Sequence, residues 1–285
     1  MANVAVIGAQ WGDEGKGKVV DVFGEHADVI TRFQGGNNAG HTIVVHGKKV
    51  VLHLVPAAAL HEGKTCLIGN GVVVDAEVLL HEVKTLRELG HLKTSKILVS
   101  DRAHLIMPYH KRPDKLRARK ETSTVRATTG RGIGPGYADK AARLGIRLGD
   151  LLRPDHLKQR LEEILPEKNC LLQSFYGERP LDTNALLEEF LRLAESLKPF
   201  IADTTEILHT ALESGKKIMF EGAQGALLDI DHGTYPFVTS SNTTSGGGAT
   251  GTAAPPSAIH ETIAITKAYT TRVGLGPFPT EIDGH

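Results

Sequence analysis

The first forty residues alternate between short apolar runs and glycine-rich polar stretches. Residues 4–7 (VAVI) are uniformly apolar and too few for a helix, which is the pattern of a strand buried on both faces. A glycine-rich turn follows, then a helix over about 16–23, and residues 29–33 read as the next strand. Segments 42–45 and 50–54 flank His46, Gly47, Lys48 and Lys49, which predicts a hairpin. Asp75 is placed to cap a helix whose Leu79, Val83 and Leu86 share one face, with Gly90 as its stop. Residues 97–99 form another short strand, and the charge-rich stretch 155–200 reads as helical. Asp203, with Glu206 three residues on, predicts a capped helix ending near Gly215. Residues 218–220 then form a strand leading into Gly222-Ala223-Gln224-Gly225. Strands alternating with helices predict an α/β fold with a central, mainly parallel sheet and helices on both faces. No internal repeat or linker divides the chain, so 1–285 reads as a single α/β domain with a helical insertion at about 100–200.

Charge narrows the function classes. Lys+Arg and Asp+Glu are each 33, so no net charge draws the chain to nucleic acid or a membrane. The stretch 111–120 (KRPDKLRARK) holds six basic residues and one acid, and in a neutral chain it reads as a solvated helix face. No apolar stretch approaches the ~20 residues of a membrane span, and the first residues lack the basic head and apolar run of a signal peptide. Cys66 and Cys170 fit no metal motif or disulfide framework. Two reduced thiols and no targeting segment lead us to expect a cytoplasmic protein.

The glycines carry the chemistry. Gly12, Gly15 and Gly17 lie between the strand at 4–7 and the helix from 16, an order that sets backbone N–H groups and a helix N-terminus around a polyphosphate. Lys16 and Lys18 add positive charge. The spacing departs from the phosphate-loop pattern G-x-x-x-x-G-K-[ST]. Six residues separate Gly8 from Gly15, and Gly17 stands where a hydroxyl would hold magnesium. Asp13, inside the loop, is then the natural oxygen donor for the metal. A dinucleotide site is excluded, because G-x-G-x-x-G is absent and the second strand ends at Arg32-Phe33-Gln34 without an acid for a ribose. A second glycine-rich loop, 34–41 (QGGNNAGH), follows that strand. In a parallel sheet both loops lie at the carboxyl edge, which makes Asp13 and His41 a candidate base and acid on one substrate.

Six blocks in order resemble the adenylosuccinate synthetase family: QWGDEGKGK at 10–18, QGGNNAGH at 34–41, TTGRGIGP at 128–135, FEGAQG at 220–225, DIDHGTYPFVTSSNTT at 229–244 and TRVGLGPFPTE at 271–281. The resemblance implies a fold related to phosphate-loop GTPases and a homodimeric, GTP- and Mg2+-dependent ligase of purine biosynthesis. That enzyme joins IMP and L-aspartate into adenylosuccinate through 6-phosphoryl-IMP. By the same resemblance, Asp13 is the base and His41 the acid, and Mg2+ touches Asp13 and Gly40. GTP meets Gly12, Asp13, Glu14, Gly15, Lys16, Gly17, Lys18, Gly40, His41 and Thr42. IMP meets Asp13, Glu14, Gly15, Lys16, Asn38, Ala39, Gly40, His41, Thr129, Gln224 and Thr239, and Arg143 reaches its phosphate across the dimer. Taken singly, Gln224 and Thr239 also read as ordinary turn residues. Asn37 departs from relatives that carry histidine there. The resemblance further implies that family members continue past residue 285 into the aspartate loop and the guanine-reading segment, so the 285 residues alone are expected to lack turnover. Two other readings stand beside the ligase. A nucleotide kinase would lack the second glycine-rich loop with Asn38 and His41; the other is a nucleotide-binding fragment without turnover.

Overall fold

The computed structural model describes residues 2–45, 48–119, 128–272 and 276–279, and for 41–45, 48–50 and 119 the backbone alone. In chain order the elements are β1 (Val4–Gly8), α1 (Lys16–Gly24), β2 (Val29–Arg32), β3 (His41–Val45), β4 (Lys48–Leu52), β5 (Thr65–Ile68), β6 (Val73–Val74), α2 (Ala76–Glu88), β7 (Lys96–Ser100) and β8 (His104–Leu105). They continue with α3 (Pro108–Arg119), α4 (Ile133–Ala142), α5 (Pro154–Tyr176), α6 (Thr183–Leu197), β9 (Ile201–Ala202), α7 (Thr204–Glu213), β10 (Ile218–Glu221), α8 (Ser245–Thr252) and β11 (Glu261–Ile265). Seven strands form one sheet in the order β11-β1-β10-β2-β5-β7-β9, and every pairing in it is parallel. No helix among the described residues is long and apolar enough to cross a membrane.

Alternation along the strands divides the core into two layers. Val6, Ile30, Cys66, Ile68, Ile97, Val99 and Met219 face one side, where they meet Val20 of α1, Leu79 and Val83 of α2, Leu161 of α5 and Phe190 of α6. Ala5, Ile7, Val29, Leu67, Ile218 and Phe220 face the other side and meet Leu208 and Ala211 of α7. Helices therefore cover both faces, as the apolar runs predict. Burial also pushes the Cys66 thiol well above its ordinary range, so it stays protonated.

Three expectations need correction. The hairpin forms, but β4 begins at Lys48, two residues earlier than the apolar run suggests. Val45 pairs with Lys48 and His41 with Leu52, so the ladder closes tightly and takes both lysines into the ribbon. Asp75 occupies the N-cap of α2 without capping it. Its carboxylate accepts from Asn37 Nδ2 at 3.3 Å and pairs with Lys111 Nζ at 2.8 Å, and these side chains outcompete the helix N–H groups for it. The basic stretch is helical, as α3, and among its described side chains Arg112, Lys115 and Arg117 are exposed as expected; Lys120 lies outside the described residues, and the departure is the one acid, which faces inward. Asp114 is buried, and Arg117 donates to the Tyr176 hydroxyl at 2.6 Å. Asp203, by contrast, caps α7 as expected, its Oδ1 accepting from the N–H groups of Thr205 and Glu206.

Candidate active site at the carboxyl edge

Parallel pairing carries the loops after β1, β2, β10 and β11 to one edge of the sheet. The loop after β1 is built around Glu14. Its carboxylate is fully enclosed, and Oε1 accepts from the N–H groups of Gln10 (3.1 Å) and Gly12 (2.9 Å). Oε2 pairs with Lys16 Nζ at 2.5 Å, and Lys16 is itself only 4% exposed. Gly15 caps α1 at φ 87°, a left-handed conformation that glycine adopts without strain, and it turns the chain from loop into helix. Asp13 also has a positive φ, 59°, which is uncommon for a residue with a side chain and points its carboxylate outward. That carboxylate is 70% exposed and lies 3.4 Å from Lys267 Nζ. Lys18 lies exposed on α1.

The second glycine-rich loop is held from beneath by buried charge. Arg32, at the end of β2, is fully buried and donates to the carbonyls of Gln34 (3.4 Å), Gly36 (2.8 Å) and His53. Burial lowers its pKa, and the carboxylates of Glu221 and Glu82 oppose that shift. Glu82 accepts from the N–H groups of His53, Leu54 and Val55, which fixes the strand exit that runs beneath the loop. The Tyr137 hydroxyl accepts from the Gly35 N–H at 2.8 Å and donates to the Gly71 carbonyl at 2.7 Å. Burial raises its pKa to about 12, so it remains a neutral donor.

Gln224 joins the two loops. It has φ 56°, packs against Gly12, and donates through Nε2 to Asn38 Oδ1 at 3.1 Å; the same oxygen accepts from the Gly36 N–H. The Ala39 carbonyl accepts from His53 Nδ1 at 2.8 Å, so that nitrogen carries the ring proton. Gly40 packs beside the same histidine. His41 and Thr42 lie in β3, and their side chains fall outside the described residues.

Thr129 is exposed on a loop that Asp114 organises. The Asp114 carboxylate accepts from Thr128 Oγ1 at 2.6 Å and from the Gly132 N–H at 2.8 Å. From the same loop Arg131 donates to the Asn37 carbonyl, which brings it onto the second glycine-rich loop. Behind it stands a buried relay. His110 Nδ1 accepts from the Met107 N–H, Nε2 donates to Asp139 at 2.8 Å, and Lys168 pairs with Asp139 at 2.6 Å. Burial lowers the His110 pKa despite the neighbouring carboxylate, so the ring is neutral. Thr239 is half-buried, its N–H bound to the Leu228 carbonyl at 2.8 Å, and the adjacent Ser240 hydroxyl lies beside Gly134 at the start of α4. The turn before it rests on Asp229. Burial opposes ionisation of this carboxyl, but four backbone N–H groups outweigh burial and lower its pKa.

The candidate residues thus fall into two groups. The phosphate-loop residues, Asn38, Ala39, Gly40, Thr129, Gln224 and Thr239 belong to connected loops at one edge. Arg143 does not join them. It is the exposed C-cap of α4, whose first turn faces the site, so about 15 Å of helix separates it from that turn. Glu14 as the loop's internal ligand, Tyr137 and Asp114 were not legible as positioning groups, nor was Lys267 legible as the neighbour of Asp13. Only Asp114 left a trace, as the lone acid in a basic run.

A family model described as adenylosuccinate synthetase matches residues 5–285. Adenylosuccinate synthetases of Geobacter sp. strain M21 and Pelobacter propionicus are 57% and 59% identical over 284 and 283 residues, covering 99% of this chain and 66% of their own length. The chain therefore spans just under two thirds of the curated relatives it matches. The structure of fully ligated adenylosuccinate synthetase from Plasmodium falciparum superposes with a TM-score of 0.88 at 38% identity, over all of this chain and 66% of that one. A cyanophage S-2L succinoaminodeoxyadenylate synthetase bound to dGMP and dATP shares the fold, with a TM-score of 0.62 at 21% identity over 90% of this chain and 61% of its own.

Proposed function

The chain belongs to the adenylosuccinate synthetase family, and from that membership we propose that it joins IMP and L-aspartate into adenylosuccinate, with GTP hydrolysed to GDP and phosphate. The observation that carries this reading is Gln224, which ties a phosphate-holding loop to a loop of purine-reading amides. A kinase needs the first loop alone, whereas a ligase that phosphorylates a purine needs both.

The chemistry follows from the leaving group. Oxygen 6 of a purine leaves poorly until it is phosphorylated. Asp13 is the base that takes the proton from the adjacent ring nitrogen, so the oxygen can attack the γ-phosphate. His41 is the acid on the phosphates. The N–H groups of the first loop and of α1 hold the polyphosphate, together with Lys16 and Lys18. Gly12, Glu14, Gly15 and Gly17 shape that cradle, and Thr42 closes it. Asn38, Ala39, Gln224, Thr129 and Thr239 hold IMP. The amine of aspartate then displaces phosphate at carbon 6. An exposed carboxylate at Asp13 and the carbonyl of Gly40 are hard oxygen donors that fit Mg2+, which, when bound, offsets phosphate charge. Arg143 lies a helix length from its own site, which supports a homodimer in which it reaches the partner's IMP. We place the enzyme in the cytoplasm and its residues 1–285 in one α/β domain.

Calorimetric titration with IMP and with GTP tests this reading. Each is expected to bind, and Gln224→Ala should weaken IMP at least tenfold while leaving GTP within threefold. A chain that binds GTP and not IMP is a different phosphoryl-transfer protein.

A further inference from the structure

Lys267 has no part in the assignments above, yet the fold delivers it to the phosphate loop. β11 pairs with β1 in the register Gly8 to Ile265, and the Ala9 N–H continues the ladder to the Ile265 carbonyl at 2.9 Å. One residue further on, the Gln10 side chain takes over. Its Oε1 accepts from the Lys267 N–H at 3.0 Å, and its Nε2 donates to the Lys267 carbonyl at 3.4 Å and to Thr270 Oγ1 at 3.0 Å. A side-chain amide here does the work of a strand partner and fixes the main chain of Lys267 against the loop. The ammonium then lies 3.4 Å from Asp13 Oδ2 and also donates to Thr271 Oγ1.

Of the two lysines at the start of α1, Lys18 is exposed and Lys16 is differently placed. Lys16 is 4% exposed and bound to a carboxylate with no exposed surface, so its charge is compensated inside the protein. The Lys267–Asp13 pair is at the surface, with side chains 20% and 70% exposed, and surface pairs exchange partners at little cost. Extra charge gathers on the outer oxygens of a triphosphate during transfer, and a cation aimed there from a rigid mount stabilises it.

We propose that Lys267 is a further catalytic residue: its ammonium leaves Asp13 when a nucleotide enters and binds the terminal phosphate oxygens. The proposal rests on the reading of this loop as a triphosphate site. It predicts a preference for triphosphate over diphosphate that depends on residue 267. Calorimetric titrations of the 285-residue chain with GTP and with GDP, both with Mg2+ at fixed salt, measure that preference. Lys267→Met should weaken GTP about tenfold and GDP less than threefold, and Lys267→Arg should stay within threefold of the parent for both. Equal loss for the two nucleotides, no loss, or tighter GTP binding overturns the proposal; the last outcome makes Lys267 a plug over Asp13. If Lys267→Met melts early, Lys267→Gln against Lys267→Arg gives the same ratio. An IMP titration of the parent separates the two ideas. Absent IMP binding counts against the ligase, whereas IMP binding with an unchanged GTP/GDP ratio in the variants counts against Lys267.

Discussion

At the scale of the residue, two adjacent acids in one loop have opposite duties. Glu14 is enclosed and holds two backbone N–H groups and the Lys16 ammonium. Glu14→Ala leaves that ammonium buried without its partner, which should cost about 3–5 kcal/mol in a urea denaturation. A loss below about 1 kcal/mol would mean that Lys16 escapes to solvent. Asp13 is exposed and makes a single long ion pair. Asp13→Asn keeps a side chain that tolerates φ 59° and removes only charge. Its stability should stay within about 0.5 kcal/mol of the parent, while the Mg2+-dependent gain in GTP affinity disappears from the titration. The sequence separates these acids poorly. Nothing in GDEGKGK says which carboxylate faces inward, because that depends on Gln10 and Gly12 curling around position 14.

At the scale of the element, close approach sets the tolerances. Gly71 lies so near β2 and α8 that a methyl there would overlap the Phe33 carbonyl and meet Gly251 Cα at 2.7 Å. Gly71→Ala should lose at least about 1–3 kcal/mol, since backbone rather than side chain would have to move. Gly246, the second residue of α8, has open space, its nearest neighbour at 3.9 Å. Gly246→Ala should gain about 0.5–1 kcal/mol from helix propensity, and chemical denaturation of the pair reads the contrast. Elements with an unbroken apolar run, a periodic apolar face or a working cap were legible: β1, β10, α2 and α7 stand where the pattern puts them. β5 was missed, although it sits inside the sheet: Gly63 marks the turn ahead of it, but TCLI gives only three apolar positions. β11 was missed for the opposite reason. Its residues are largely exposed at the sheet edge, and ETIAI lacks the apolar run of a buried strand. The site was legible where it rests on glycine loops and opaque where it rests on Tyr137 or Asp114, whose partners are remote in sequence.

At the scale of the whole molecule, buried neutral histidine makes stability fall in acid. His104 is 7% exposed, and its Nδ1 has no hydrogen-bond partner among the described residues. Burial, with Lys140 and Arg147 nearby, lowers its pKa to about 4. The unfolded chain binds this proton near the ordinary value of 6.5 and the folded chain only near 4. Its contribution is therefore full above pH 6.5 and declines as the pH falls toward 4, by at most about 1.4 kcal/mol per pH unit. Melting temperatures across that window should fall less steeply for His104→Gln than for the parent. The order of the sheet has a further result, in the time domain. β1 pairs only with β10 and β11, and β2 meets its inner neighbour only in β10. β1 thus leaves the ribosome well before either partner and is among the last strands to be zipped in. At roughly 5–20 residues per second, the wait from Val4 to Ile218 is about 10–40 s. Through that interval VAVI is an unpaired apolar edge, an aggregation hazard at the very segment proposed to cradle a nucleotide.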